Sequence, residues 1–580
     1  MNNILLSSLN GGITSSAGDT LMIVFLVLFT IAVTLAGVYV IATNVNRQDN
    51  KSGLGAVLAK PESNFKVSHA VFLIVAMGFL IRIAFTLFTN GFLGVTPQNL
   101  ASSDNTGGLI QYYSVINGLF TGQPPSSMSY GIYPIPFLFL TIFGGIATLF
   151  NGGPINLANP GLATQSLFRM PFIIFDMATA VLLFFAAKKF SNEKVGLGLV
   201  IIYSLSPIFI FASAIWGSMF SILAFFIVLT LYFMANKNFL GLTIAFSLAL
   251  LTSRDAMLFA PVFLVFVLYH FVRVVRIIRA EKTKSNDLKS VRGRKVVKSE
   301  EETEADVPSS NKRALIFERD KGLAVRIPLY FLASLIGMYV LSLPFLGPNG
   351  VFITVSAVNF NPFSWFAALF VHPFGRDMIY VTYNGMSIYN LFGRNTNRLG
   401  ENVAPGVYSI LFFIVAIALV LTFYASKKNR ANLVLIACYL VFTLSLFYMS
   451  FSELNLIVVL AGLLFSFILI KDKRILHVFA MLSITVLINA SIVMMSAGYF
   501  GNIPLGDYGY PATARISEAG GAATAAIVMN LIMTAMTLLI FVYKSYIMLD
   551  IALANTRKPF ATNQKAVLPV LKDFMRIRKK

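Results

Sequence analysis

Apolar runs of about 20 residues, the length of a helix across a ~30 Å hydrocarbon core, recur from residue 21 to residue 547 of this 580-residue chain. A water-soluble protein of this size would not expose so many. The candidate crossings are 21–43, 67–90, 132–150, 169–187, 196–214, 218–235, 239–252, 256–272, 327–343, 406–425, 432–450, 453–470, 475–497 and 523–547. Only 12% of the residues are charged, against about 25% in ordinary soluble domains. The expected fold is an all-α polytopic bundle of 13–15 crossings.

The net charge of +21 does not point to nucleic acid, because the basic residues collect between apolar runs. That is the pattern of cytoplasmic loops under the positive-inside bias. The first run has no Lys or Arg before Arg47 and reads as an anchor with its N-terminus outside. Arg47, Lys51, Lys60 and Lys66 then place the next loop inside. Residues 273–326 hold fifteen Lys/Arg and nine Asp/Glu, the composition of a disordered cytoplasmic linker. Lys427, Lys428 and Arg430 form another basic cluster, and Lys471, Lys473 and Arg474 a third. From Lys544 onward the C-terminal tail carries nine basic and two acidic residues, fitting anionic headgroups.

The expected organisation follows: an anchor and cytoplasmic loop (1–66), a transmembrane module (67–272) with a first outer loop (91–131), and the linker (273–326). A second module (327–548) has outer loops 344–405 and 498–522, and a basic tail (549–580) ends the chain. Alternation leaves Lys188, Lys189 and Lys194 on the outside, against their charge; an extra crossing between 150 and 168 would restore the parity. The single Cys438 excludes an intrachain disulfide framework, and the four histidines form no zinc-binding pair.

The first outer loop carries one acid, Asp104, in a small-residue turn. Leu109, Tyr113, Ile116 and Phe120 then share one face, the spacing of an interfacial helix. Tyr133-Pro134-Ile135-Pro136 follows and opens the next run. Together these elements resemble the GT-C glycosyltransferases, polytopic enzymes that use polyprenyl-phosphate sugars and whose outer loop ends in a YPP-like element. Arg169-Met170-Pro171 with Asp176 looks like the family's R-x-P…D element. Ser206-Pro207 with Trp216-Gly217-Ser218 looks like its SP…WGQxD segment, although Ser218 and Phe220 replace the family's Gln and Asp. Tyr389-Asn390-Leu391-Phe392 looks like its NLW element.

The resemblance implies a GT-C-like bundle and an enzyme that moves a hexose, such as mannose or glucose, from a polyprenyl (dolichyl) phosphate to a glycan, lipid or protein acceptor. Asp104 would be the general base of an inverting transfer, at the outer face of a prokaryotic plasma membrane. Its alternative role is that of a solvated turn residue. Arg169, Arg254, Arg394 and Arg398 are candidates to hold the phosphate, with Tyr133 and Asn390 as further substrate-binding residues. Arg254 also stands beside Asp255, and Arg376 beside Asp377, as ordinary ion pairs would; His372 reads as a loop residue. Arg82 and Asp176, inside apolar runs, either line a site or pair with each other. No required cofactor is identifiable and no metal cage is visible; a divalent ion completed by lipid phosphate stays open. Two other functions stay open: a transporter or flippase, and a non-catalytic GT-C-like subunit of a glycosylation complex, to which the altered WGQxD element also points.

Overall fold

The computed structural model describes residues 67–92, 133–151, 162–292, 308–345, 360–371, 382, 385–392, 407–408, 410–415, 417–418, 430–448, 454–500 and 521–553. Among these residues every regular element is a helix. In chain order they are α1 (Val67–Phe92), α2 (Pro134–Asn151), α3 (Leu162–Phe190), α4 (Glu193–Leu205) and α5 (Pro207–Ile210), which runs on into a π-helical turn, Phe211–Trp216. Next come α6 (Phe220–Asn236), α7 (Phe239–Leu250), α8 (Ala260–Arg292), α9 (Pro308–Ser342), α10 (Pro362–Phe366) and α11 (Ile388–Leu391). The last four are α12 (Arg430–Phe447), α13 (Leu456–Ile470), α14 (Lys473–Phe500) and α15 (Gly521–Leu553).

Five segments are long and apolar enough to cross a bilayer: Ser166–Phe190, Arg254–Arg279, Ala324–Phe345, Lys473–Ile492 and Val528–Ile551. The pair α4 and α5, bent by 50°, makes a sixth if taken as one broken span. Six further apolar helices have 10–17 residues. The chain is an all-α polytopic membrane protein. Full-length spans are fewer among the described residues than the 13–15 crossings expected. Hydropathy measures the length of an apolar run and not where the helix inside it stops. At Lys237 and Lys471 the backbone turns left-handed (φ 56° and 60°), and those turns end α6 and α13.

One end of the bundle is basic. Lys188 pairs with Glu193 at 2.7 Å, and Lys189 lies 5.6 Å over the Tyr232 ring near the end of α6. Phe190 packs its ring against Tyr232 and against Phe465 of α13. Lys237 and Lys471 cap those two helices, and Arg474 joins Asp472 to Asp550 of α15 at 2.6 and 2.7 Å. Lys188 and Lys189 therefore share an end with the Lys471–Arg474 cluster.

Phe139 of α2 meets Phe175 of α3 with ring centroids 4.9 Å apart. Phe139 lies 12 residues before the end of α2 at Asn151, and Phe175 lies 13 residues after the start of α3 at Leu162. Arms of matching length make α2 and α3 an antiparallel hairpin. Only ten residues, 152–161, join them, too few for a helix that needs about 20 to cross.

Because α3 ends at the basic face, α2 rises away from it and starts within the bundle. The Ile135 amide donates to the Leu251 carbonyl at 3.0 Å. Leu251 closes α7, whose 12 residues reach only ~18 Å from their start beside Lys237. The Tyr133–Pro136 element thus lies buried at the start of α2, beside Leu251 and, through Phe137, against Phe345 just after α9.

The linker expected at 273–326 is helical at both ends: α8 continues to Arg292 and α9 begins at Pro308. Extending an existing helix skips the unfavourable nucleation step. The Arg, Lys, Glu and Ala of this stretch are good helix formers, so charge did not stop either helix. Residues 293–307, like 1–66, 93–132 and 554–580, lie outside the described residues.

Close approach of α1 to its neighbours depends on Gly78. A Cβ there would stand 3.0 Å from Ser204 Cβ and 3.3 Å from Met177 Sδ. Small residues at helix contacts let membrane helices approach closely. Gly78→Val is expected to destabilise the bundle by about 1–3 kcal/mol through overpacking, read as a lower melting temperature in detergent, while an unchanged temperature would show that α1 shifts freely.

Candidate functional site

Two polar centres lie within the bundle among the described residues. The first joins α1, α3, α4 and the turn after α5. Proline at 207 starts a new helix and interrupts α4 after Leu205, because it has no N–H to continue the ladder. The Ser204 carbonyl receives Arg82 Nη1 at 2.6 Å. The same guanidinium donates through Nε to Asp176 Oδ2 at 2.7 Å and to Ser213 Oγ at 3.2 Å, and through Nη1 to the Gly78 carbonyl at 3.0 Å. Tyr203 donates to Asp176 Oδ1 at 2.7 Å, and Ser213 to Oδ2 at 3.0 Å. Arg82 and Asp176 are fully buried. Of the two readings drawn from the sequence, they pair with each other.

The π-helical turn ends at Gly217, whose φ of 69° is a left-handed conformation suited to glycine. Ser218 N closes the turn on the Ala212 carbonyl at 2.8 Å. The Trp216-Gly217 pair thus has a conformational cause. Ser218 and Phe220 are buried.

The second centre lies where α7, α11, α12, α14 and α15 meet. Thr252 and Ser253 interrupt the chain after α7, and Ser253 Oγ caps a short 3-10 helix at Arg254–Phe259 by accepting from the Asp255 amide. Arg254 faces Asp255 at a loose 3.9 Å, both side chains about 15% exposed. The helix that it opens packs against α12. At the end of α12, Ser387 Oγ donates to the Leu446 carbonyl and the Tyr389 hydroxyl to the Phe447 carbonyl, both at 3.1 Å. These bonds hold α11 in place and direct Asn390 into the protein.

Asn390 Nδ2 donates to the Gly385 carbonyl and, at 2.8 Å, to Asn530 Oδ1 of α15. Asn530 Nδ2 donates in turn to Asn489 Oδ1 of α14 at 2.6 Å. The resulting amide ladder is buried. Nothing in hydropathy separated Asn489 or Asn530 from other polar residues inside apolar runs. A buried polar side chain in a membrane span is the one signal that could have marked them.

The structure therefore brings Asn390 to the α12 end through its neighbour Tyr389, and places Tyr133 near Arg254 in the chain fold through the bond of Ile135 to Leu251, three residues before Arg254. Tyr133 is itself buried. Arg169 lies apart, buried on α3 two turns before Asp176. Asp104, Arg394 and Arg398 lie outside the described residues, as do His372, Arg376 and the stretch 109–120.

No curated protein matches the chain. Residues 126–358, which are 233 of the 580, match the protein family described as GPI transamidase subunit PIG-U. That match overturns the expected activity. The family is one of transamidase subunits and not of glycosyltransferases, so the reading as a hexose-transferring enzyme is corrected; Asp104 lies outside the matched residues. The polyprenyl-phosphate sugar expected as donor loses its support for the same reason. Over two fifths of its length, this polytopic chain is similar to a subunit of a GPI transamidase.

Proposed function

We propose that this chain is a membrane subunit of a multi-protein complex that acts on a GPI-type glycolipid, holding and orienting the lipid without supplying the reacting groups. The family match over residues 126–358 carries the reading. The two buried centres support it. Asp176, which resembles the acid of the GT-C R-x-P…D element, is engaged on both oxygens by Arg82, Tyr203 and Ser213. Ser218 and Phe220 stand where the GT-C element has Gln and Asp, and both pack inside. A GT-C-like frame without its chemistry fits these residues.

Within this reading Arg254, Tyr133 and Asn390 belong to a region that meets the lipid headgroup, with Arg254 facing its phosphate. A guanidinium suits phosphate oxygens by geometry as well as charge. Lys188, Lys194 and the Lys471–Arg474 cluster mark the cytoplasmic end, and the headgroup region belongs to the opposite side. A GPI transamidase assembly is at odds with the prokaryotic plasma membrane expected from the sequence, and the location narrows to an integral membrane protein.

Affinity purification of the tagged full chain from its own membranes in mild detergent tests the proposal. Other membrane proteins should co-purify in fixed ratio, and the complex should break an amide bond near a protein's C-terminus, release the C-terminal peptide and join the new protein C-terminus to the amine of a GPI lipid. The chain alone should transfer no labelled mannose or glucose from polyprenyl phosphate. Recovery of a lone, monodisperse chain under every mild extraction condition would overturn the subunit assignment.

A further inference from the structure

One side of α8 changes character along its length. Leu264, Leu268 and Val272 are 43%, 57% and 43% exposed, and their four-residue spacing puts them on one side of the helix. Arg276, four residues further on, continues that side and is exposed; Arg273 and Arg279, a turn before and after it, are exposed too. The α7 helix fixes the level at which this change falls. Phe239, which starts α7 two residues after Lys237, has its ring 5.9 Å from that of Phe266 and 5.7 Å from that of His270. Phe266 and His270 are therefore level with the basic end of the bundle. Arg273 to Arg279 lie about 5–14 Å beyond His270 at the helical rise per residue, which is headgroup depth and just past it.

The α9 helix repeats the arrangement in the opposite direction. It packs against α8, and Phe345, just after it, meets Phe137 at 5.3 Å beside the far end of α7. Its start is thus on the basic side. Arg326 is exposed there, and exposed Leu329, Ile336 and Val340 continue its side of the helix. No acid lies between Asp255 and Glu281, or between Asp320 and the end of α9. None of the four arginines forms an ion pair among the described residues. A surface that is apolar at the depth of lipid tails and cationic at the depth of phosphates matches one molecule along its whole length. A soluble acidic protein would meet the arginines and leave the apolar stretch untouched.

We infer that the α8–α9 hairpin is a binding surface for anionic phospholipid of the cytoplasmic leaflet. Arg273, Arg276 and Arg279 hold the phosphate, whose oxygens a guanidinium takes in pairs, while the acyl chains run along Leu268 and Val272. Arg326 adds its charge from α9. With four cations and no acid at this level, a headgroup of net negative charge is selected over a zwitterion. The inference is independent of the subunit reading and concerns the opposite side of the membrane from the headgroup region proposed there.

The test uses the full chain as it purifies from its own membranes, placed in nanodiscs of phosphatidylcholine mixed with phosphatidylserine or phosphatidylglycerol. Native mass spectrometry counts the retained lipids. Both anionic lipids should be retained at least about tenfold over phosphatidylcholine, since net charge is what is read. Arg276→Gln should cut the preference about fivefold, the effect of one guanidinium near a charged surface. Arg273→Gln, Arg276→Gln and Arg279→Gln together should abolish it, and Lys at the same three positions should keep most of it, which separates lost charge from lost fold. Lys188→Gln with Lys194→Gln, exposed at the same end of the bundle, should leave it unchanged. Equal retention of the three lipids by the wild-type chain would overturn the inference without any variant having to fold. So would a preference that survives the triple Gln change, or one that the Lys188 and Lys194 changes reduce as much. A triple Gln variant that keeps its lipids and loses a co-purifying protein would make this surface a protein contact. A chain that purifies alone and still selects anionic lipid would leave this surface standing and the subunit reading refuted.

Discussion

Arg82→Ala is expected to remove most of the folded protein. The substitution leaves Asp176 fully buried with its cation gone, and takes the donor from the carbonyls of Ser204 and Gly78. Breaking a buried pair by deleting one partner costs about 3–5 kcal/mol, much of the stability of a typical domain, which is about 5–15 kcal/mol. The measurement is folded yield and melting temperature by fluorescence-detected size exclusion in detergent. Arg82→Lys should recover little. The guanidinium serves a carboxylate on α3, a hydroxyl after α5 and carbonyls on α1 and α4, a spread that a single ammonium cannot cover. The double substitution Arg82→Leu with Asp176→Leu should be more stable than either single one, because a buried pair replaced by packed apolar residues leaves no stranded charge. An Arg82→Ala protein that melts with the wild type would show that the cluster is not a lock.

That lock was half visible in the sequence. Two opposite charges inside apolar runs, Arg82 and Asp176, are costly enough in lipid to imply a partner or a wet cavity, and either outcome suited the residues. What decided between them was the break at Ser206-Pro207, which places the Ser204 carbonyl and Ser213 beside Arg82. The Pro was legible; the angle it produced was not. The same limit applied to Tyr133–Pro136. Proline opening an apolar run reads as a helix start, and α2 does start there. Its depth and direction depend on α3 and on the Leu251 carbonyl, a contact more than a hundred residues away.

Membrane class and helix content were legible because they follow from the length of apolar runs. Short motifs told less. Trp216-Gly217 resembled a catalytic segment, yet Gly217 is there for a left-handed residue after a π-turn. Asn390 stands out in the sequence beside its aromatic neighbours, while Asn489 and Asn530, which it joins in the structure, do not, because nothing in their own runs distinguishes them. The basic tail was drawn from Lys544 onward by charge alone, and there the structure differs most from composition.

Lys544→Met is expected to stabilise the protein. Lys544 is not in a solvated tail; it lies within α15, 2% exposed, with no hydrogen-bond partner for Nζ among the described residues. The ring of Phe442 is 5.2 Å away and Cys438 stands beside it, one turn apart on α12. The next acid along its own helix, Asp550, is already held by Arg474 at 2.7 Å. An aromatic face offers a cation about 0.5–2 kcal/mol, less than the loss of hydration it replaces. Methionine keeps the length of the stem, packs on Phe442 and Cys438, and makes a favourable sulfur–aromatic contact. The expected gain is about 1–3 kcal/mol, seen as a higher melting temperature in detergent. Lys544→Ala should go the other way, because it leaves a cavity between α12 and α15. The comparison between the two separates charge from volume. If Met lowers stability as much as Ala does, the ammonium is matched within the native protein by an anion, and its carbon stem is not what holds these helices together.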